Sequence, residues 1–209
     1  MRLTARGAAI LRGLMLAVAL IANVPPLRAG TVTVGGPFTL IAPDGKTVTD
    51  RTYAGKWLLV YFGFTFCPNT CPTALLDIAT ALQKLGPDAA KVQPLFITID
   101  PQRDTPAAMG QYTRSFDSRI IGLTGSAQQI AAVAKEFGVY YSRHSTGPGR
   151  NDYLMDHSTY IYLMAPEGKF VRGFDAYASG DEIAQGVRKA MANAGHAMND
   201  GGASKPTIR

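Results

Sequence analysis

Apolar positions divide this chain into short segments with two different periods. Leu40 and Ile41, with Val48 beyond them, flank Pro43-Asp44-Gly45-Lys46. An Asp-Gly pair between two β-prone runs predicts a hairpin over residues 38–48. Residues 57–62, Trp-Leu-Leu-Val-Tyr-Phe, form an unbroken apolar run, as expected of a strand buried on both faces. The period then changes. Leu75, Ile78, Ala79, Leu82 and Leu85 share one helical face over residues 73–85, and Gly86-Pro87 ends that helix. Residues 92–99 read as a second buried strand, stopped by Asp100-Pro101. Asp104 or Thr105 can cap a helix that has Pro106 at its first position and runs to about residue 116. A short strand over 120–123 follows, then a helix capped by Ser126 and running to 137. Gly147-Pro148-Gly149-Arg150-Asn151 reads as a flexible loop. Residues 159–164 and 169–174 predict a second hairpin around Pro166-Glu167-Gly168, and residues 181–193 a last helix.

Strands alternating with helices predict an α/β sheet layered between helices. A strand, a cysteine-bearing loop and then a helix is the thioredoxin-like order. The expected fold is therefore thioredoxin-like: a central mixed sheet flanked by helices, with an added N-terminal β-hairpin. Open α/β sheets place their chemistry at the carboxyl ends of strands. Cys67 and Cys71 fall there, after the first long strand, and Asp100 falls at the end of the second.

The first 29 residues change the picture of the rest. Arg2, Arg6 and Arg12 precede a short apolar run ending at Val24, then Pro25-Pro26 and a small-residue cleavage point at Ala29. This is the pattern of a secretory signal peptide. Its run is shorter than the roughly 20 residues that span a bilayer, although an uncleaved membrane anchor stays open. The division expected is residues 1–29 as signal or anchor, 30–194 as the domain and 195–209 as a flexible tail. Of the net charge of +6, four units lie in the first segment and one in the tail, which leaves +1 on the domain. So the charge does not argue for nucleic acid. An exported chain meets an oxidising compartment, here the periplasm, where disulfides persist.

Cys67 and Cys71 are the only two cysteines among 209 residues, in Phe64-Thr65-Phe66-Cys67-Pro68-Asn69-Thr70-Cys71-Pro72. A disulfide closing so short a loop contributes about 2 kcal/mol, the low end of the range, so the spacing leans towards chemistry rather than stapling. Pro72 suits the first helical position, with Cys71 as cap. The usual redox spacing is C-x-x-C. C-x-x-x-C does not forbid thiol exchange, and makes a two-sulfur metal site about as plausible. A metal needs a further ligand. His196 belongs to the tail and His144 to a polar loop. His157 stands just before a predicted strand, where spacing alone favours a structural histidine. Two thiolates and an imidazole suit copper, as Cu(I) or Cu(II); they also suit zinc, which usually takes a fourth ligand. Asp156 could orient the histidine.

At these residues the sequence resembles the Sco/SenC family, thioredoxin-like copper proteins of cytochrome c oxidase assembly. Phe62-Gly63-Phe64-Thr65-Phe66-Cys67-Pro68-Asn69-Thr70-Cys71-Pro72-Thr73 is similar to its metal loop, and Asp100-Pro101-Gln102-Arg103-Asp104 to its DPxRD segment. Ile121-Gly122-Leu123-Thr124-Gly125-Ser126 and Val139-Tyr140-Tyr141-Ser142 resemble later blocks, and residues 152–159 resemble the stretch bearing its histidine ligand. The resemblance implies Cys67, Cys71 and His157 as copper ligands, and Asp156, Asp100, Arg103 and Asp104 as residues beside the site. It implies oxidase subunit II as acceptor, with a copper donor and a thiol reductant as further partners. Asn69 departs from the family, many of whose members carry Asp there. No proline precedes residue 159, where thioredoxins keep one. Three readings follow: a copper-binding assembly factor; a thiol–disulfide oxidoreductase acting on an exported protein; and, less well supported, a thiol peroxidase.

Overall fold

A computed structural model describes the backbone of residues 34–200 and the side chains of residues 34–195. The predicted leader over 1–29, and residues 201–209 of the predicted tail, lie outside the described residues. β1 (Thr39–Ile41) and β2 (Thr47–Thr49) form the expected antiparallel hairpin, with Leu40 opposite Val48. Its turn needs Gly45, whose φ of +80° strains any residue with a Cβ.

β3 (Trp57–Gly63) is buried at every position. The sheet explains why: β3 lies between β4 (Val92–Thr98), which is parallel to it, and β8 (Tyr160–Met164), which is antiparallel. β5 (Ile121–Leu123) extends the sheet beyond β4, and β9 (Phe170–Asp175) beyond β8. The order β5-β4-β3-β8-β9 is the mixed thioredoxin-like sheet that the pattern predicts.

Among the described residues four α-helices surround the strands: α1 (Thr70–Leu85), α2 (Pro106–Arg114), α3 (Ala127–Glu136) and α4 (Gly180–Asp200). Thr105 caps α2 by accepting from Ala108 N–H, and Ser126 and Gln129 close a capping box on α3. α1 and α4 meet closely where Gly180 N–H donates to Asp77. A Cβ on Gly180 would lie 2.6 Å from Thr80 Cβ. α4 continues past its predicted end at residue 193. No helix among the described residues is long and apolar enough to cross a membrane.

Two local expectations give way. α1 begins at Thr70, so Asn69 rather than Cys71 is its cap residue. Pro72 is then the third helical residue, which costs nothing, because the first-turn N–H groups have no intrahelical acceptor. The second difference is a hairpin that the pattern does not show. β6 (Tyr141–Ser145) and β7 (Tyr153–His157) pair as a separate two-stranded ribbon, with Tyr141 opposite His157. His157 therefore ends one strand as well as standing, as expected, just before the next, β8. His144 is exposed on β6.

Candidate metal centre

Cys67 sits in the loop that leaves β3, and Cys71 in the first turn of α1. The loop is tight: Cys67 N–H donates to the Phe64 carbonyl, and Cys71 N–H donates to Cys67 Sγ at 3.4 Å. Cys71 is fully buried, while Cys67 is half-buried. Space for the Cys71 sulfur comes from Gly63. A Cβ there would lie 2.7 Å from Cys71 Sγ and 2.7 Å from the Phe96 ring. Glycine at a strand end against such a close neighbour is a legible signal of tight approach, and sequence reasoning passed over it. Tyr61 closes the site from below, with its hydroxyl 3.9 Å from Cys71 Sγ.

His157 Nε2 stands 3.8 Å from Cys71 Sγ, across 86 positions of sequence. Its Nδ1 lies 2.8 Å from the Ser158 carbonyl oxygen. A carbonyl only accepts, so Nδ1 carries the proton and Nε2 presents its lone pair to the sulfurs. Phe64 and Tyr61 pack edge-on against the imidazole. Asp156 is exposed. It is adjacent to His157 on a strand and so points to the opposite face. The bond that orients the ring is the one to Ser158, not one to Asp156.

Both cysteines are free thiols, and their environments drive them apart. A hydrogen bond from Cys71 chiefly holds Cys67 as thiolate, and the Cys71 and Asn69 N–H groups add to this. Against the opposing effect of burial, the Cys67 pKa falls from 9.0 to about 4. Cys71 is pushed up, as donor to Cys67, by burial and by the neighbouring charge. The pair thus holds one proton, on Cys71. In metal-free protein, alkylation by iodoacetamide is expected at Cys67 alone. Its rate should rise through a midpoint near pH 4 and be flat by neutrality. A midpoint near 9, or equal labelling of both thiols, would contradict this assignment.

Asp100 and Asp104 are buried, and the Arg103 side chain nearly so. Asp100 closes β4 and accepts from Arg103 Nε and from the Tyr153 hydroxyl at 2.8 Å. Asp104 is fully buried and does not cap α2. It accepts from Thr65 N–H at 3.1 Å, from the Thr65 hydroxyl at 2.5 Å and from the Thr98 hydroxyl at 2.6 Å. Desolvation raises its pKa. Asp104 thereby ties the cysteine loop to the end of β4. Thr65, Thr98 and Tyr153 were not singled out in the sequence; only their contacts mark them. Asn69 is exposed, and its side chain makes no capping bond.

The donor set fits a soft metal. Donors about 2.3 Å (sulfur) and about 2.0 Å (nitrogen) from one ion lie about 3.8 Å apart when the angle between them is near 120°, which is the separation of Cys71 Sγ and His157 Nε2. Among the described residues no three ligating side chains already enclose an ion. A cleft of about 580 Å³ between β9 and α4 includes none of these residues.

Comparison with known proteins points the same way. The SCO1/SenC family matches residues 28–192. The chain is 43% identical over 162 residues to Protein SCO1 homolog 1, mitochondrial, of Arabidopsis thaliana, covering 77% of this chain and 48% of that protein. It spans 48% to 62% of the length of such curated relatives. It is similar to the crystal structure of Arabidopsis thaliana ScoI with copper bound, with a TM-score of 0.71, 42% identity and coverage of 77% of this chain and 99% of that one. It is also similar to Bradyrhizobium japonicum ScoI with copper bound, with a TM-score of 0.69, 44% identity and coverage of 75% and 98%.

Proposed function

This chain belongs to the SCO1/SenC family, and from that premise we propose that it is a copper-binding assembly factor of cytochrome c oxidase. Cys67 and Cys71 as thiolates and His157 through Nε2 hold one copper ion. The protein passes that ion by ligand exchange to the dinuclear copper site of oxidase subunit II. The observation that carries this reading is the approach of His157 Nε2 to Cys71 Sγ. A soft ion is the partner that two sulfurs and an imidazole suit, and copper is the ion named for both solved relatives.

The protein's own groups set the conditions. Cys67 is already ionised at neutral pH, so only the Cys71 proton must leave as the ion enters. Ser158 holds the imidazole tautomer, and burial by Phe64 and Tyr61 limits access of water to Cys71. A Cys67–Cys71 disulfide removes both sulfur donors, which requires a thiol reductant as a partner. The leader over residues 1–29 directs export to the periplasm, where donor, reductant and acceptor meet the domain. That segment also anchors the domain to the membrane if it is not cleaved.

The test is copper per chain, with absorption and electron spin resonance spectra of the loaded protein. Wild type is expected to bind one ion with sulfur-to-Cu(II) charge transfer and one nitrogen coupling. His157→Ala is expected to lose the nitrogen coupling and at least about tenfold in affinity. Equal binding by the two proteins rules out the His157 role.

The asymmetry of the thiols favours a second reading, a thiol–disulfide reductase. An ionised, half-exposed Cys67 can attack a target disulfide, and buried Cys71 can then resolve the mixed disulfide. This reaction does not need His157. Full reduction of a target disulfide by metal-free His157→Ala protein, with copper binding lost, is its signature.

A further inference from the structure

The two halves of the metal centre come from segments that share no backbone ladder. The cysteine loop is continuous with the central sheet through β3. His157 lies on the β6–β7 ribbon, which pairs with no strand of that sheet. A two-stranded ribbon alone is marginally stable in water. Ser158 and Thr159 join His157 to β8, with the Thr159 carbonyl accepting from Ala176 N–H; the rest of the ribbon, and with it the set of the ring, depends on the side chains that fasten it down.

Arg103 touches both halves. Its side chain is only 10% exposed, unusual for an arginine. The guanidinium carbon lies 4.5 Å from the centre of the Phe66 ring, next to Cys67 in the chain, and 3.7 Å from the centre of the Tyr153 ring, the first residue of β7. Phe64, which packs on the imidazole, is 5.9 Å away. Nη1 donates to the Tyr153 carbonyl at 3.0 Å and the Asn151 carbonyl at 3.4 Å. Nε donates to Asp100, whose other oxygen accepts from the Tyr153 hydroxyl. Arg143, on the ribbon itself, covers Tyr153 at 3.7 Å. One planar cation thus lies between a ring of the cysteine loop and a ring of the histidine ribbon, and is held in plane by a carboxylate at the end of β4.

We propose that Arg103 is a positioning residue for the metal centre: it clamps the His157-bearing ribbon to the cysteine loop and so sets where Nε2 stands. The proposal rests on the three-donor site described above. Planarity is the property the position uses. A guanidinium can stack on two rings while donating in its plane, whereas an ammonium has no face to stack. The competing account is that Tyr141 and Met155, which also pack on the core, hold the ribbon unaided.

Arg103→Lys separates these accounts, since it keeps the charge and most of the buried stem. Two readouts apply. In metal-free protein, amide hydrogen exchange of residues 153–157 should quicken by about tenfold or more, with β3 and β4 unchanged. In copper-loaded protein, the nitrogen coupling should weaken while the thiolate-to-copper absorption persists, with affinity falling about 10-fold or more. Combined with His157→Ala, Arg103→Lys should cause no further loss of affinity, because the two changes act through one ligand. Wild-type exchange and wild-type coupling in Arg103→Lys would overturn the proposal, as would losses that add in the double variant. If Arg103→Lys does not fold, Phe66→Leu removes one face of the clamp at a residue 57% exposed and is read by the same criteria. Absence of nitrogen coupling in the wild type instead removes the three-donor premise, and the proposal with it.

Discussion

Replacing Cys71 with alanine is expected to remove copper binding from this protein, with bound metal falling by well over about tenfold relative to wild type. The loss has two parts. One sulfur donor disappears, and Cys71 is the one that faces His157 Nε2 at 3.8 Å. The same change takes away the hydrogen bond that chiefly holds Cys67 as thiolate. The Cys67 pKa should therefore climb from about 4 back towards its ordinary 9.0, and proton and metal then compete for the remaining sulfur at neutral pH. Metal analysis after gel filtration reads the first part, and the pH profile of alkylation reads the second. A variant that still carries one copper per chain would show that Cys71 is not a ligand.

Gly63→Ala is expected to damage the same site without replacing a ligand. The new Cβ would meet Cys71 Sγ on one side and the fully buried Phe96 ring on the other, both at 2.7 Å. Phe96 belongs to β4, which is hydrogen-bonded to β3 throughout, so it has little room to retreat. Overpacking of this kind costs about 1–3 kcal/mol, or a fall of roughly 2–12 °C in Tm at about 2–4 °C per kcal/mol for a domain of this size. The cheaper relaxation is displacement of the Cys71 sulfur, so copper affinity should fall as well. Calorimetry of metal-free protein and a copper titration measure the two effects. A variant with unchanged Tm and unchanged affinity would mean that Gly63 is not what makes room for Cys71.

Much of the frame was legible because local pattern and tertiary role agree. The run over residues 57–62 reads as a doubly buried strand, and β3 is one. The caps Thr105 and Ser126 and the Asp-Gly turn near Gly45 act through neighbours only a few residues away. The β6–β7 ribbon was not legible. Tyr-Ser-Arg-His-Ser on β6 is exposed or half-exposed throughout, and although burial alternates along β7, Leu154 stands on its exposed face, so the residue types do not show the alternation. Asp104 was misjudged for a related reason. An acid before Thr105-Pro106 looks like a helix cap, and nothing local shows that Thr65 and Thr98 will supply it with three donors.

By itself, then, the sequence determined the sheet-and-helix frame, the place of Cys67 and Cys71 at the end of a buried strand, and the choice of soft donors. Those features follow from short-range rules of periodicity, turn chemistry and side-chain type. Only the tertiary structure decided that His157 ends a strand with Nε2 towards Cys71, that Ser158 rather than Asp156 fixes its tautomer, and that Arg103 lies between the two halves. The Ser158 bond is made by the next residue along, but the ring it orients meets Cys71 across 86 positions, and Arg103 reaches Tyr153 across 50. The relative placement of these segments is set by packing of the whole domain, to which no single stretch of chain gives access.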